Sequence, residues 1–404
     1  MAERIVITGT ATVGSLGCSV AGALERMAAA PAPAEADVNG RAVPWAPVTG
    51  YDPCDYVPRK KVRRMDPANT YAIAVARMAL EQAGVLADDA LRANCGVLVG
   101  TGYSGFASVV AHQKAYLRDG IEQLTPIHFP NTVYNASAGL VAIELGLNGP
   151  NSTITGLDLS GEYALLYGWM LLRQGMTERV VVVGVDDLCP ALLEGFHDLG
   201  FAARDRDAVS TPFAARRQGF LPSEGAGAVV LETAEAAARR GTTALGEIEG
   251  VGTFVGADTH YDYSPSGEAI RQSVHAALLA CGHDLSDVDW VSSAANASRG
   301  LDRCEADAWP GLLDGTRHAV VPFKAFTGEF SASGVQRLVL GLACSARRSL
   351  PAVPRSESLE GMASLLPETP RAVGQRFLHQ GTGLGANCVS LLVSGPAGET
   401  RHAH

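Results

Sequence analysis

The chain has 404 residues, of which 47% are hydrophobic and 18% are charged. Its 32 lysines and arginines against 42 aspartates and glutamates give a net charge of −10, which argues against a general nucleic-acid-binding role. The length exceeds what one small core needs, so we expect two domains or two fused halves. No apolar run reaches the ~20 residues of a membrane-spanning helix. The start of the chain lacks a secretory-signal pattern, so a cytoplasmic location is expected.

Short runs rich in valine and isoleucine alternate with longer amphipathic segments, a pattern typical of an α/β fold. We predict strands at residues 4–8, 95–99, 179–185, 227–232, 290–293 and 388–393. We predict helices at residues 71–83, 159–174, 234–240 and 268–281. Residues 28–47, rich in proline and alanine, are predicted to form a surface loop. We divide the chain into residues 1–245 and residues 246–404, each with its own strands and helices.

The sequence offers no pattern for a metal ion or a nucleotide cofactor. The eight cysteines are scattered, without a C-x-x-C pair or zinc-ligand spacing, and are interpreted as free thiols. Glycines cluster at strand–helix junctions, but no phosphate-binding loop or dinucleotide fingerprint is present. We therefore expect neither a metal nor a cofactor. The one basic cluster, residues 59–64, is either a solvated surface or a landing site for an acidic partner.

Several segments resemble the β-ketoacyl-acyl carrier protein synthases. Residues 149–161 are similar to the turn that carries the nucleophile in that family, and residues 4–9 are similar to its opening strand. Residues 211–220 and 223–232 are similar to its long central signature. The resemblance covers essentially the whole chain. It implies the thiolase-like fold, a five-layered αβαβα sandwich made of two similar halves that works as a dimer.

The three reactive positions of that family are occupied by other residues in this chain. Active members of the family use one cysteine and two histidines. The flanking residues place Asp158 at the cysteine, Ala294 at the first histidine and Glu329 at the second. Lys324, from the family's Lys-x-x-x-Gly segment, is retained. The resemblance therefore implies a degenerate site rather than a working one.

These substitutions remove the condensation chemistry of the family. A carboxyl group with an ordinary pKa of about 4 cannot replace a thiolate, whose parent thiol has a pKa of about 8.5. Ala294 offers no proton donor, and an anionic Glu329 would destabilise a developing enolate. We expect Asp158 to cap the helix that follows it, and Lys324 to lie near Glu329 in a buried ionic cluster. A repurposed acid/base pair, Asp158 with Glu329, is the alternative.

Two other features lie near the expected site. Residues 381–387 correspond to the glycine loop in which a phenylalanine of the family gates acyl entry. The gate position falls at Gly383 or Leu384, so no aromatic gate is available. His379, just before this loop, and His197 are interpreted as structural histidines rather than catalysts.

A ketosynthase-like chain without its triad most resembles a chain length factor, the silent partner of a type II polyketide synthase heterodimer. That resemblance implies an active ketosynthase subunit, an acyl carrier protein that delivers substrate, and an acyl tunnel at the subunit interface. Aspartate at position 158, where aromatic systems usually have glutamine, favours a polyene-forming, reducing system. The residues expected at the tunnel or interface are Phe106, Asn131, Thr132, Val133 and Tyr134. The alternatives are a thiolase-fold acyltransferase or cyclase, and a scaffold that only stabilises the ketosynthase.

Overall fold

The computed structural model describes residues 3–29, 33–204, 210–257, 262–354, 357–359 and 361–396. The strands in these ranges are β1 (Ile5–Val13), β2 (Ala34–Val38), β3 (Arg41–Trp45), β4 (Cys95–Gly100), β5 (Asn151–Ile154), β6 (Arg179–Asp186), β7 (Gly225–Thr233), β8 (Gly246–Val255), β9 (Trp290–Ser292), β10 (Val320–Val321), β11 (Ser349–Leu350), β12 (Arg371–Ala372), β13 (Arg376–Gly383) and β14 (Asn387–Ser394). The α-helices are α1 (Val20–Ala29), α2 (Arg59–Val62), α3 (Pro67–Gln82), α4 (Asp89–Ala93), α5 (Phe106–Asp119), α6 (Ala136–Leu145), α7 (Ser160–Arg173), α8 (Pro190–Asp198), α9 (Ala234–Arg239), α10 (Glu268–Cys281), α11 (Arg299–Leu312), α12 (Lys324–Thr327) and α13 (Gly334–Arg347). None of the helices within these ranges is both long enough and apolar enough to cross a bilayer.

Ten strands form one sheet in the order β10-β9-β13-β14-β8-β1-β7-β6-β4-β5. The sheet consists of two halves with the same pairing pattern. In the first half, β1, β7 and β6 pair antiparallel, and β6, β4 and β5 pair parallel. In the second half, β8, β14 and β13 pair antiparallel, and β13, β9 and β10 pair parallel. The halves join where β1 pairs with β8, and we retain a boundary at residue 245 as a proposal.

Helices cover both faces of each half, which produces five layers. Helices α3 and α6 pack on the outer face of the first half, and α10 and α11 pack on the outer face of the second. Helices α7 and α13 lie between the two halves; α7 packs on strands of the first half, and α13 contacts strands of both. Because both faces are covered, strand β6 is buried at every residue and is built around a continuous run of valines. The αβαβα sandwich that the sequence predicts is confirmed.

All the predicted strands and helices are present. The largest difference is at β1, which continues to Val13 instead of ending at residue 8. The predicted loop at residues 28–47 is wrong in part, because β2 and β3 form a hairpin there. Its turn is at Asn39 and Gly40, with φ of 54° and 80°, and an Asn-Gly turn of this hand matches the twist of antiparallel strands. Residues 30–32 of that stretch lie outside the described residues.

Glycines allow the middle helices to approach the sheet closely. A Cβ atom built on Gly227 of β7 would lie 2.5 Å from the backbone nitrogen of Gln336 on α13. A Cβ atom on Gly184 of β6 would lie 2.3 Å from the carbonyl oxygen of Ala332. Both contacts are with backbone, which cannot rotate away as a side chain can. A larger residue at either position must therefore push α13 off the first half of the sheet.

We expect Gly227→Ala to destabilise the protein by about 1–3 kcal/mol, the usual cost of overpacking a close-packed interior. The matched control is Gly139→Ala in α6, where an added Cβ meets nothing within 4 Å. That change should stabilise the protein by about 0.5–1 kcal/mol, because alanine is the better helix former. The midpoints of urea unfolding of the purified protein report both values. Equal midpoints for the two variants would contradict the packing argument.

Candidate functional site

Asp158 lies on a sharp turn between β5 and α7. Leu157, immediately before it, has a φ of 48°, in the left-handed region that a leucine rarely adopts. The Ser160 hydroxyl holds the turn by donating to the Leu157 carbonyl oxygen at 2.7 Å and accepting from the Gly156 N–H at 3.0 Å. The expected cap is wrong: α7 begins at Ser160 without a side-chain cap, and the Asp158 carboxylate accepts a hydrogen bond from the Tyr263 hydroxyl instead.

Ala294 follows strand β9 and is buried. Its backbone N–H donates to Oε1 of Glu305 at 2.9 Å. Glu305, on α11, also accepts from the Ser293 hydroxyl and, at 2.8 Å, from the Trp309 indole. A buried carboxylate thus fixes the backbone of this loop. The side chain that the loop presents at Ala294 is a methyl group, which can neither donate nor accept a proton.

Glu329 and Lys324 form a buried ion pair after strand β10, as the sequence predicts. The distance from Nζ of Lys324 to Oε2 of Glu329 is 2.5 Å. The Asn296 amide donates to the same carboxylate oxygen at 2.9 Å, and the Ser333 hydroxyl donates to Oε1 at 3.4 Å. Burial raises the pKa of Glu329, the Lys324 ammonium acts to lower it, and the negative charge of Asp158 acts to raise it. Asp158 and Glu329 are therefore close enough to interact electrostatically.

Two tyrosines that sequence reasoning missed join Asp158, Lys324 and Glu329 in one cluster of polar side chains. Tyr263 donates its hydroxyl to Asp158, and Tyr103 contributes a second partly buried phenol beside it. The pKa of each phenol is raised above its usual value, mainly by burial and then by the Asp158 carboxylate. Both hydroxyls therefore stay protonated and can act as donors at neutral pH. Neither tyrosine belongs to a recognisable motif, so only the fold brings them to Asp158.

The positions expected at the gate loop, Gly383 and Leu384, lie at the end of strand β13. Gly383 ends the strand, and Leu384 begins a short 3-10 helix and is half-buried. A Cβ atom on Gly383 would lie 2.9 Å from Cγ of Leu159, so this backbone has no room there for an aromatic ring. The N–H of Gly385 donates to the carbonyl oxygen of Asp262 at 3.0 Å, which ties the loop to the segment that carries Tyr263.

His379 lies behind the site, in the layer between the halves. Its ring is fully buried, and within the described part of the chain neither ring nitrogen has a hydrogen-bond partner. Burial lowers its pKa well below the usual value, and the nearby charges of Arg337 and Lys324 lower it further. Arg337 is paired with Glu162 beside it. His379 is thus a neutral interior group, while His197 lies partly exposed on α8, 3.2 Å from the Asp198 carboxylate.

The residues expected at a tunnel or interface face different environments. Phe106 begins α5 and is half-buried; no residue of that helix is fully buried. Val133 and Tyr134 are exposed, and Thr132 is half-buried. Asn131 instead points into its own chain, because its amide donates to the Arg64 carbonyl oxygen at 2.9 Å. The side chains available to a partner are therefore those of Val133 and Tyr134, with Phe106 at the start of the helix.

An open cavity of about 750 Å³ lies next to the cluster. Tyr263 and Gly300 form part of its lining, and three exposed arginines, Arg204, Arg299 and Arg303, stand at its rim. Asp158, Ala294 and Glu329 do not line it. Within the described residues, no group of three histidine, cysteine, aspartate or glutamate side chains is placed to hold a metal ion.

Comparison with known proteins gives matches along most of the chain. Residues 46–237 match the family described as Beta-ketoacyl synthase, N-terminal domain, and residues 245–355 match Beta-ketoacyl synthase, C-terminal domain. The chain is 30% identical over 260 residues to Nodulation protein E of Rhizobium sp. (strain N33), with 64% of this chain and 63% of that protein covered. It is 30% identical over 311 residues to 3-oxoacyl-[acyl-carrier-protein] synthase 2 of Rhizobium meliloti (strain 1021), with 72% and 73% covered.

Solved structures share the fold at lower identity. The ishigamide ketosynthase/chain length factor superimposes with a TM-score of 0.88 at 22% identity, over 98% of this chain and 100% of that one. The ketosynthase ApeO in complex with its chain length factor ApeC, from Xenorhabdus doucetiae, gives a TM-score of 0.84 at 19% identity, over 98% of each chain. The two family matches extend over more than half of the sequence, and the five-layered sandwich agrees with them. This chain belongs to the β-ketoacyl synthase family.

Proposed function

We propose that this chain is a non-catalytic chain length factor, which pairs with an active ketosynthase and shapes a shared acyl tunnel. The observation that carries the proposal is the internal pairing of the groups at the reactive positions. Asp158 accepts from Tyr263, and Glu329 pairs with Lys324. The third position, Ala294, presents only a methyl group. Such a site has no thiol to carry an acyl chain and no imidazole at these positions to stabilise an enolate.

The family accommodates both a catalytic and a silent role. The relative from Rhizobium meliloti carries the name of a synthase, whereas two structures that share the fold of this chain are described as pairs of a ketosynthase and a chain length factor. The residues at the reactive positions favour the silent role. A polyene-forming, reducing type II system, in the cytoplasm, remains the context that we propose.

The heterodimer is supported by a band of exposed apolar side chains on α5 and the segment that follows it. These side chains are Val109, Tyr116, Leu117, Ile121, Ile127, Phe129, Val133 and Tyr134. Soluble proteins seldom leave so many large apolar groups together in water, and obligate partners bury such surfaces. Phe106 stands at the start of the same helix, so a tunnel beside this band would pass it.

An acyl carrier protein is the second proposed partner, and it would reach the complex through a basic surface. Two such surfaces are available. One is the cluster at residues 59–64, in which Lys61 is already paired with Glu144 at 2.7 Å. The other is the arginine rim of the open cavity, where Arg299 and Arg303 are exposed. Charge complementarity would speed the encounter of a carrier with either surface.

A second candidate is a thiolase-fold enzyme, an acyltransferase or cyclase, repurposed around Asp158 and Glu329. The observation in its favour is a half-buried carboxylate, Asp158, that interacts with a second carboxylate whose pKa is raised by burial. Two neighbouring carboxyl groups that differ in burial can support acid/base chemistry. The close pairing of Glu329 with Lys324 argues against this second candidate, because the Lys324 ammonium already binds the carboxylate oxygen Oε2 that would have to contact a substrate.

Co-expression with a ketosynthase encoded beside this chain tests the proposal. We expect a one-to-one complex on size exclusion, and elongation of malonyl carrier protein only when both subunits are present. In that assay, Asp158→Ala in this chain should leave turnover unchanged to within about twofold, since the residue takes no part in chemistry. Turnover by this chain alone, abolished by Asp158→Ala, would instead establish the repurposed enzyme. A well-behaved monomer that ignores the ketosynthase would count against both the heterodimer and a scaffold role.

Trimming Phe106 should lengthen the product, because a large ring at the start of α5 limits the tunnel. We expect Phe106→Ala to shift the product distribution of the complex by one or more extension units, as read by mass spectrometry. The matched control is Leu279→Ala, a change of an exposed side chain on α10, on the opposite outer layer. An unchanged distribution with Phe106→Ala would remove this residue from the tunnel, and a pure scaffold would then be favoured.

A further inference from the structure

The side chain of Tyr263 connects the open cavity to Asp158. Its ring lines the cavity, while its hydroxyl donates to the carboxylate of Asp158. Asp158 itself does not line the cavity, although the resemblance places it where active members of the family carry their nucleophile. The phenol therefore lies between the cavity and Asp158.

Three contacts hold this ring in place. The first is the hydrogen bond to Asp158. The second is packing against the start of α11: a Cβ atom on Gly300 would lie 3.1 Å from Cδ2 of Tyr263, so the ring fits because position 300 has no side chain. The third acts on the preceding residue: the carbonyl oxygen of Asp262 accepts from the Gly385 N–H at 3.0 Å, which fixes the backbone next to Tyr263. The ring is thus held by the reactive turn, by α11 and by the gate loop together.

We propose that Tyr263 is a plug that closes this subunit's own reactive position to acyl chains. The plug restricts which site an acyl chain can enter. An acyl thioester on a flexible linker that enters the cavity stops at the phenol and does not reach Asp158. This inference rests on the proposed function, in which a chain bound here would be a dead end. With this position closed, the acyl thioester binds productively at the site of the partner ketosynthase.

The chemistry of the contact suits a permanent closure. Burial and the neighbouring carboxylate raise the pKa of Tyr263, so its hydroxyl keeps the proton that it donates to Asp158 across the physiological range. A hydrogen bond to a charged acceptor is stronger than one between neutral groups. An incoming alkyl or thioester group would break that bond and offer the Asp158 carboxylate no donor in return. Displacing the ring therefore leaves a charge without its partner.

A thiol placed at position 158 makes the closure measurable. In the full chain carrying Asp158→Cys, we would follow labelling of the new thiol by iodoacetamide, and read only the peptide that contains position 158 by mass spectrometry. Asp158→Cys removes the acceptor of the Tyr263 hydroxyl, so this test measures the ring as a steric obstacle held by its packing against α11. Labelling should be slow with Tyr263 in place. Adding Tyr263→Ala should accelerate it roughly tenfold or more, the factor that corresponds to about 1.4 kcal/mol of opening free energy. A longer maleimide reagent should show a larger difference than iodoacetamide.

Two controls separate closure from damage. Tyr263→Phe keeps the ring and removes the hydroxyl, so labelling should stay close to that of the parent. Tyr167→Ala removes an exposed tyrosine of α7 and should leave the rate unchanged. If Tyr263→Ala unfolds the chain, Tyr263→Ser and Tyr263→Leu provide a small and a bulky replacement, and only the small one should label fast.

Equal labelling rates with tyrosine and with a small residue at position 263, in proteins of unchanged melting temperature, would overturn the plug. That outcome would leave the chain length factor proposal standing, because labelling does not depend on a ketosynthase or on any product. Conversely, failure to form an active heterodimer would leave the labelling result valid as a property of this chain.

Discussion

Charge buried between the two halves is the constraint on which the rest of the site depends. Lys324 and Glu329 are both almost fully buried, and Arg337 and Glu162 form a second buried pair in the same layer. Moving an ion out of water costs several kcal/mol, a penalty that only close pairing and hydrogen bonding offset. Removing one member of either pair leaves an uncompensated charge in the interior. Glu329 is therefore held in place by its ion pair with Lys324 and its hydrogen bond from Asn296.

The same burial decides the protonation of the neutral groups nearby. His379 is kept neutral by desolvation and by two neighbouring cations, and Tyr263 and Tyr103 keep their protons beside a carboxylate. A catalytic acid or base needs a pKa near the working pH and a free position for substrate. This cluster contains paired ions and fixed donors instead. These features support the non-catalytic role that we propose.

Much of the fold follows from local sequence, because buried parallel strands require continuous apolar runs and amphipathic helices require a repeating apolar face. The flanking residues also predicted which three positions correspond to the family's reactive residues, and that assignment stays a prediction. The expected proximity of Lys324 to Glu329 is observed. Tyr263 and Asn296 were missed because each meets its carboxylate only after distant segments fold together.

Two local predictions were wrong for identifiable physical reasons. The hairpin of β2 and β3 was missed although Asn39 and Gly40 are favoured turn residues, because its strands are short and only partly apolar. Asp158 was expected to cap a helix that in fact starts two residues later, and a long-range phenol took its carboxylate instead. Edge strand β5 has a further consequence for the cell: within the described residues it pairs with β4 alone, and an unpaired strand edge recruits other strands. We expect copies whose β5 edge stays unpaired to aggregate or be degraded in the cell.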